Sequence, residues 1–278
     1  MRLAVLSGKG GTGKTLVSVN LACVAPNATY VDCDVEAPNG HLFLKPQNLV
    51  TQPVTVNVPL VDPSKCTGCR RCVDFCHYNA LALLKKKLII FYEICHSCAG
   101  CVLLCPEHAL SKTQRPIGVV ESGISGGVTV VTGRLNTGEV SGVPIIKELM
   151  TRLPDQGLTI IDCPPGSACS VMESIRKADF CLLVAEPTLF GAHNLEMVYN
   201  LVTLFKKPFG VVLNKCLPGE NPSAQLCREK GLDILAKIPY DSELGQINAS
   251  GLVAARESKA FSHLFGNLLR RIEEEVPF

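Results

Sequence analysis

Two runs of four cysteines are the residues of this chain with the clearest chemistry. Both runs have the spacing C-x2-C-x2-C-x3-C, which places three thiols within seven residues. Thiolates at this spacing bind four-iron, four-sulfur (4Fe–4S) clusters, because one tight loop can occupy three corners of the cluster cube. The first run comprises Cys66, Cys69, Cys72 and Cys76, and the second comprises Cys95, Cys98, Cys101 and Cys105. The spacing therefore predicts two iron–sulfur sites.

A glycine-rich loop upstream of the cysteines predicts a phosphate-binding site. Gly8–Thr15 reads G-K-G-G-T-G-K-T and satisfies the pattern G-x4-G-K-[ST]. Backbone N–H groups of such a loop can surround a phosphate, and the following helix adds a favourable dipole. We expect Lys14 to reach the β- and γ-phosphates of ATP and the Thr15 hydroxyl to bind Mg²⁺. The other expected nucleotide-binding residues of the loop are Gly8, Gly10, Gly11, Thr12 and Gly13.

The elements that must position these motifs alternate between short apolar runs and amphipathic segments. Strands are predicted at Leu3–Leu6, Thr29–Asp32, Val128–Val131, Leu158–Asp162, Phe180–Ala185, Gly210–Leu213 and Leu235–Ile238. Helices are predicted at Lys14–Val24, Ile145–Leu153, Asn194–Lys206, Pro222–Lys230 and Lys259–Glu275. Apolar strands alternating with helices indicate an α/β fold with a mostly parallel, doubly wound sheet, as in P-loop NTPases.

Composition narrows the classes of protein to consider. The 278 residues carry a formal charge of +2, which argues against a nucleic-acid partner bound through overall charge. Fifteen cysteines could indicate a disulfide scaffold, but such scaffolds are usually short and secreted. We expect neither a signal peptide nor a membrane span, since no apolar stretch reaches about 18 residues. The thiols are therefore interpreted as reduced and metal-bound in a cytoplasmic protein.

The cysteine segment interrupts the alternation of strands and helices. The second run repeats the first at an offset of 29 residues, and Ala80-Leu81 recurs as Ala109-Leu110 at the same offset. We predict an inserted small α+β domain over 59–114, within an ATPase domain formed by 1–58 and 115–278. Lys85-Lys86-Lys87 would form the exposed turn of a hairpin in this insert. A solvated turn is the favoured interpretation of these lysines, and a docking patch for an acidic partner is the alternative.

The duplicated segment resembles a bacterial-type ferredoxin with two 4Fe–4S clusters. The resemblance implies that the fourth cysteine of each run binds the cluster of the other run. Cys105 would complete the first cluster with Cys66, Cys69 and Cys72, and Cys76 would complete the second with Cys95, Cys98 and Cys101. Zinc is the rival metal, since C-x2-C pairs also bind it. His77, His96 and His108 are expected to be surface residues, although His77 stands where a ferredoxin would have proline.

The glycine loop resembles the deviant Walker A motif of the MinD/ParA class of ATPases because of its additional lysine, Lys9. In that class the lysine crosses a dimer interface to the nucleotide of the partner. The resemblance therefore implies a catalytic role for Lys9, along with Lys14, in an ATP-dependent homodimer. The alternative is that Lys9 stays near the phosphates of its own subunit.

Other motifs resemble the same class in the same order. Asp34 would orient the attacking water as the catalytic residue of switch I, and Asp32 would lie near Mg²⁺. Asp162 would hold Mg²⁺ through water as in a Walker B strand, and Pro164–Gly166 resembles switch II. On the adenine side, Asn214 would bind the base edge, with a strand-end turn residue as the alternative. The loop around Pro239 would present backbone groups to the base.

Taken together, the motifs resemble MinD-superfamily ATPases that carry an inserted ferredoxin domain. Gly133–Asn136 and Glu186–Thr188 extend the resemblance over essentially the whole chain. It implies ATP, Mg²⁺ and two 4Fe–4S clusters as cofactors, with an unidentified redox or iron–sulfur client protein as partner. The favoured function is nucleotide-gated electron transfer. ATP-dependent cluster assembly or delivery is the alternative, although the C-terminal C-x2-C pair of the Mrp-type carriers is absent.

A positioning or partition ATPase with structural clusters is a third hypothesis. Relatives of that kind attach to membranes through a C-terminal amphipathic helix. An apolar stripe does occur in this chain, at Phe261, Leu264, Phe265, Leu268, Leu269 and Ile272. The acidic run that follows is unfavourable beside an anionic membrane, so we expect a helix packed on the sheet.

Among the other cysteines, Cys23 and Cys181 are expected to be buried, whereas Cys33, Cys163 and Cys169 could hold a transient or subunit-bridging cluster.

Overall fold

A nine-stranded sheet organises the protein, which is represented by a computed structural model describing residues 1–276. Its strand order is β11-β10-β9-β1-β8-β2-β7-β6-β3, and a separate hairpin pairs β4 with β5. The strands are β1 Arg2–Leu6, β2 Thr29–Asp32, β3 Gln47–Val61, β4 Leu81–Leu84, β5 Lys87–Ile90, β6 Leu110–Ser125, β7 Val128–Leu135, β8 Thr159–Asp162, β9 Phe180–Ala185, β10 Phe209–Cys216 and β11 Ile234–Pro239.

Helices cover both faces of the sheet. They are α1 Lys14–Val24, α2 Gly40–Leu44, α3 Arg71–Phe75, α4 Gly100–Leu103, α5 Val143–Thr151, α6 Cys169–Ile175, α7 Leu189–Leu204, α8 Pro222–Lys230, α9 Ser242–Ala249, α10 Ala254–Glu257 and α11 Lys259–Glu275, with a 3₁₀ turn at Tyr92–Ile94. One apolar core lies on each face, and the two cores include Ile146 and Phe265, both fully buried.

The mostly parallel α/β sheet predicted from the sequence is confirmed. All seven predicted strands belong to its parallel part, from β11 across to β7. Most of these strands are buried on both faces, so their sequences are nearly continuous apolar runs. The strand β11, at the edge of the sheet, has Lys237 and Pro239 exposed. The two long antiparallel strands at the edge, β3 and β6, were not predicted. β3 is largely exposed, β6 is buried only at scattered positions, and Pro53, Pro59 and Pro116 interrupt them, so no continuous apolar run marks either strand.

The strands β3, at the edge of the sheet, and β6, its neighbour, form a long antiparallel ribbon that carries the cysteine segment. Their pairing begins at Gln47 opposite Ile124 and ends at Val61 opposite Leu110. The predicted domain boundaries, at 58/59 and 114/115, therefore fall within the ribbon rather than at its end. The division into two domains stays a prediction.

The predicted hairpin is confirmed within the cysteine segment. Leu84 pairs with Lys87, so Lys85 and Lys86 form a two-residue turn. Both residues have left-handed backbone conformations, with φ of 47° and 67°. A third, small apolar cluster of Leu81, Leu88, Cys101 and Leu110 lies beneath the hairpin.

The C-terminal helix packs on the sheet as predicted. Its apolar stripe joins one of the two main cores, in which Phe265 and Ile272 are fully buried and Leu268 is 2% exposed. The acidic run, residues 273–275, lies within the described part, whereas the last two residues of the predicted tail, 277 and 278, lie outside it. Among residues 1–276, no helix is both long enough and apolar enough to cross a membrane.

Candidate nucleotide-binding cleft and cysteine-lined cavities

The phosphate-loop motif lies at the carboxyl edge of the parallel sheet, between β1 and α1. The loop bends there because Gly11 and Gly13 have φ of 80° and 93°, values that favour glycine. A side chain at Gly13 would collide with the Asn214 amide. That amide donates a hydrogen bond of 2.8 Å to the carbonyl of Thr12. Asn214 therefore braces the loop from β10, which places this predicted adenine-side residue directly beside the phosphate loop.

A cleft of about 350 Å³ opens over this loop. The predicted residues that line it are Lys9, Gly10, Gly11, Thr12, Gly13, Lys14, Thr15, Asp34, Asn214 and Pro239. Gly8 lies behind the wall, where a side chain would strike the backbone of Asn194 on α7. The hydroxyl oxygen of Thr12 is buried and has no protein partner. A cleft with these donors has the size and polarity to take a nucleotide phosphate chain.

The predicted Walker lysine and Walker B acid form a buried ion pair. Lys14 Nζ lies 2.8 Å from Asp162 Oδ1, and the two side chains are 7% and 0% exposed. Tyr30 donates its hydroxyl hydrogen to the other oxygen, Asp162 Oδ2, at 2.8 Å. Burial acts to lower the pKa of Lys14, but the Asp162 carboxylate outweighs it and the pKa is raised. Lys14 thus remains charged at the floor of the cleft.

Asp32 faces Asp162 from the adjacent strand, in register at the carboxyl edge. One Asp32 oxygen accepts the N–H of Asp34 at 3.1 Å, and the other accepts those of Asn39 and Gly40 at 3.1 and 3.0 Å. Burial and the facing Asp162 charge raise the pKa of Asp32. These contacts favour a role for Asp32 in holding the loop that presents Asp34 to the cleft. Binding of Mg²⁺ by Asp32 and Asp162 stays a prediction.

Lys9 makes its ion pair within its own chain. Its Nζ lies 2.6 Å from Glu186 Oε2, while Lys215 Nζ lies 2.7 Å from Glu186 Oε1. Lys215 also donates to the Gly11 carbonyl at 2.7 Å. Burial alone would raise the pKa of Glu186, but hydrogen bonds from both lysines hold it below its ordinary value. Glu186 thus holds Lys9 within its own chain, whereas the resemblance predicts that Lys9 reaches the nucleotide of a partner subunit.

The eight predicted cluster ligands line two separate cavities. A cavity of about 20 Å³ is lined by Cys66, Cys69, Cys72 and Cys105, and one of about 230 Å³ by Cys76, Cys95, Cys98 and Cys101. Each cavity thus combines three thiols of one run with the fourth thiol of the other. Within residues 1–276, no three His, Cys, Asp or Glu side chains are close enough to hold a single metal ion. Ligation of clusters by these thiols stays a prediction.

The sequence repeat of 29 residues is also a repeat of backbone conformation. Three pairs at this offset have left-handed φ values: Gly68 and Ser97, Arg70 and Ala99, Asn79 and His108. The helices α3 and α4 begin at the same offset, at Arg71 and Gly100. Each run therefore forms the same loop followed by the same helical turn, which makes the two halves structurally equivalent. His77, His96 and His108 are exposed, as predicted.

Most of the remaining cysteines are packed in the core. Cys33, Cys163 and Cys181 are fully buried, and burial raises the pKa of each thiol, that of Cys181 to about 12. A buried, protonated thiol behaves as a small apolar residue. This burial disfavours the idea that Cys33 and Cys163 take part in a subunit-bridging cluster. Cys23 is only half-buried, and Cys169 is exposed.

Several residues of the cleft were missed from the sequence. Tyr30 carries no local signal, because its contact with Asp162 depends on the adjacency of β2 and β8. Glu186 and Lys215 both lie in segments that resemble the MinD/ParA class, yet their ion pair requires β9 and β10 to be neighbours. Strand order is the missing information in all these cases.

The fold and the cleft together define a P-loop-type nucleotide-binding protein. The sequence matches the CobQ/CobB/MinD/ParA nucleotide binding domain over residues 3–254, and the chain belongs to this family. The crystal structure of the cell division ATPase MinD of Pyrococcus furiosus has the same fold. Its TM-score is 0.61 at 20% identity, with 98% of each chain covered.

Two relatives are similar to this chain in sequence. An iron-sulfur cluster carrier protein of Pyrococcus horikoshii is 23% identical over 302 residues, covering 98% of this chain and 87% of the relative. An uncharacterized ferredoxin of Methanocaldococcus jannaschii is 39% identical over 62 residues, covering 20% of this chain and 80% of the relative.

Replacing Glu186 with glutamine should weaken the fold in a pH-dependent manner. Its pKa is lowered in the folded chain, so its stabilising effect is present above the ordinary value of 4.5 and is lost as pH falls through the folded pKa. We expect E186Q to lose about 1 kcal/mol of unfolding free energy at pH 7, since the lysines are partly exposed. Urea unfolding followed by circular dichroism between pH 7 and 3.5 should show this loss shrinking below pH 4.5. Glu220→Gln, at an exposed loop residue, is the control; a loss in E186Q that is constant with pH would contradict the ion-pair account.

Replacing Cys76 with serine should remove the cluster of the second run rather than that of the first. The physical reason is that Cys76 shares its cavity with Cys95, Cys98 and Cys101. Iron and sulfide analysis under anaerobic conditions should give half the wild-type content in C76S and in the double variant C76S/C98S. The double variant C76S/C69S should bind no cluster. The reverse pattern of the two double variants would show that each run binds its own cluster.

Proposed function

We propose that this chain is an ATP-hydrolysing iron–sulfur protein in which the nucleotide state gates electron transfer. Its insert would be ferredoxin-like and would hold two 4Fe–4S clusters. Bound clusters would supply one-electron storage and transfer. The observation that carries the proposal is a continuous structural connection between the Asp34 loop and the cysteine cavities, described below.

Binding and hydrolysis of ATP are supported by the contents of the cleft. We infer that Lys14 leaves Asp162 when ATP binds and moves to the β- and γ-phosphates. This exchange would free an Asp162 oxygen toward Mg²⁺ and its water, with the Thr15 hydroxyl as a further ligand. Asp34 lines the same cleft, and its N–H is bonded to Asp32; under this proposal its carboxylate would orient an attacking water.

Cluster binding is supported by the two cavities and by the similarity to a ferredoxin. A 4Fe–4S cluster holds its thiolates at the corners of a cube, whereas a zinc ion brings them about 2.3 Å from one point. Four thiols around each cavity match the four thiolates that a 4Fe–4S cluster holds at the corners of its cube. The Ala109 N–H also donates to Cys105 Sγ at 3.3 Å, a contact that stabilises a thiolate.

Two backbone hydrogen bonds connect the nucleotide cleft with the ribbon. Leu135 N–H donates to the carbonyl of Val35, the residue after Asp34, at 2.8 Å. Asn136 N–H then donates to the carbonyl of Ile117 on β6 at 2.9 Å. The strand β6 continues from there to Leu110, beside Cys105. A displacement of the Asp34 loop would therefore reach the strand that enters the cysteine segment.

The packing around Val35 makes this connection stiff. Val35 is 2% exposed, and a side chain at Gly142 would collide with it. A side-chain carbon at Gly133 would lie only 2.7 Å from it. Close packing of this kind transmits a displacement rather than absorbing it. The redox titration described below tests whether the nucleotide and the clusters are coupled along this route.

A partly buried ion pair ties the ribbon to the loop after β7. Arg115 on β6 donates two hydrogen bonds of 2.6 Å to Glu139, and the two side chains are 22% and 10% exposed. The hydrogen bond to Glu139 raises the pKa of Arg115, with smaller contributions from Glu93 and Cys95. Arg115 thus lies near one of the expected ligands of the second cluster while it is anchored to the nucleotide-binding part.

Cluster delivery to another protein is the second candidate function. It is favoured by the similarity to a relative named an iron-sulfur cluster carrier protein. A delivered cluster must be released, whereas each cavity offers four thiols and would retain its cluster. A positioning ATPase is less favoured, because the apolar stripe of α11 is buried in the core and is not free to meet a membrane.

An ATP-dependent homodimer would require Lys9 to exchange Glu186 for the nucleotide of a partner subunit. Under this proposal Lys9→Ala should abolish ATP hydrolysis and ATP-dependent dimerisation while leaving the ATP affinity within about threefold. Phosphate release, size-exclusion chromatography with light scattering and fluorescent-nucleotide binding would measure the three properties. Lys147→Ala, at an exposed lysine of α5 away from the cleft lining, is the control. Unchanged hydrolysis in the Lys9 variant would contradict the role in the partner's site.

A redox titration tests the gating directly. Both clusters would be titrated anaerobically by electron paramagnetic resonance, without nucleotide and then with Mg²⁺ and a slowly hydrolysed ATP analogue. We expect at least one potential to shift by about 59 mV, which is a tenfold change in equilibrium or about 1.4 kcal/mol of coupling. Potentials that do not move would refute the gating. Transfer of iron to an apo-ferredoxin would then favour delivery.

A further inference from the structure

The two cysteine loops have equivalent backbone conformations but differ in charge. Three positions of the first loop are basic: Lys65, Arg70 and Arg71. At the offset of 29 residues, the second loop has Ile94, Ala99 and Gly100 instead. Because the loops share their backbone conformation, the basic residues of the first loop are not needed to form it. They distinguish the surroundings of the first cysteine cavity from those of the second.

The lysine turn of the hairpin extends this basic surface. Lys85, Lys86 and Lys87 are exposed, and the turn packs on the first cysteine loop. The Lys86 Cα lies 3.7 Å from the position that a side-chain carbon of Gly68 would take. All six basic residues between 62 and 109 are thus on the first loop or on the turn that covers it. We call these six residues the basic collar.

The turn conformation is costly for lysine. A two-residue hairpin turn with positive φ at both positions favours Asn-Gly or Gly-Gly. The left-handed conformations of Lys85 and Lys86 are unfavourable for a residue other than glycine. Stability of the turn therefore does not account for the two lysines. What they provide at this place is positive charge.

Acidic residues neutralise the basic collar only in part. Asp62 lies 3.4 Å from Lys65, and Asp74 lies 3.4 Å from Arg70, both as exposed pairs. Glu107 also lines the first cavity. Among residues 1–276, no acidic side chain forms an ion pair with Arg71 or with the lysines of the turn. Six basic against three acidic residues leave the surface positive.

We propose that the basic collar is a docking surface for an acidic one-electron carrier protein at the first cysteine cavity. The proposal rests on the proposed function, since it requires a redox-active cluster held by the first cysteine set. One electron passes across the interface, so the insert loses the electron that the carrier gains and no bond is made or broken. Complementary charge would orient the carrier and raise its rate of association. Arg70 of the collar lines this cavity, and Lys65, Arg71 and Lys87 are sequence neighbours of lining residues. A charged surface gathered at one loop and one turn suits a compact carrier better than an extended polyanion such as RNA.

Electron-transfer kinetics test the proposal. The holoprotein, reduced with stoichiometric dithionite, would be mixed anaerobically with an oxidised flavodoxin as the acidic carrier. The variant K85Q/K86Q/K87Q keeps the turn length and removes three charges. The control K147Q/K206Q/K259Q removes three exposed lysine charges elsewhere. At low salt we expect the second-order rate constant of the turn variant to fall about tenfold and that of the control to stay within about twofold. The difference should disappear near 0.5 M salt, where the Debye length is only about 4–5 Å and charges at the interface are strongly screened.

Three outcomes are distinguished by measurements on the same samples. Equal rates in the wild type and the turn variant would overturn the docking surface, provided that dithionite bleaches the cluster absorbance in both. If dithionite does not bleach the cluster absorbance of the wild type, both the proposed function and the docking proposal are refuted. Binding of a single-stranded RNA oligonucleotide that depends on the turn lysines, together with unchanged electron-transfer rates, would assign the collar to nucleic acid instead. Unchanged ATP turnover in the turn variant shows that the ATPase part is intact.

Discussion

The burial of two carboxylates side by side is the constraint on which the nucleotide-binding end depends. Asp32 and Asp162 are both fully buried and in register on adjacent strands, where two unpaired charges would be strongly unfavourable. Lys14 and Tyr30 satisfy Asp162, and three backbone N–H groups satisfy Asp32. The phosphate loop, the first helix and the Asp34 loop are all held by these contacts. The charges that a nucleotide would meet are therefore arranged before it binds.

The cysteine segment depends on a different kind of stabilisation. Its apolar cluster is small, and several of the cysteines themselves pack around it. Under the proposed function, bound clusters would crosslink a segment that has so little core. The ribbon of β3 and β6 attaches this segment to the sheet, because its long ladder pairs the backbone on both sides of the insertion.

Both candidate functions, gated electron transfer and cluster delivery, depend on the connection between the nucleotide cleft and the cysteine segment. In gated electron transfer, the Asp34 loop must influence the cysteine cavities, and the route through Val35, Leu135 and Ile117 is short and closely packed. Delivery would need the same route to release a cluster that four thiols hold. The two cysteine cavities also differ in their surroundings, since the basic collar lies on the first loop and on the hairpin turn that packs against it.

The sequence alone determined the parallel sheet, the hairpin and the two sets of motifs. Continuous apolar strands identify a sheet buried on both faces, and the 29-residue repeat identifies two equivalent loops, because both are local patterns. Tertiary structure decided what lies beside what. The contact of Tyr30 with Asp162, the ion pairs of Glu186 and the ribbon at the sheet edge all follow from strand order, which no local pattern encodes.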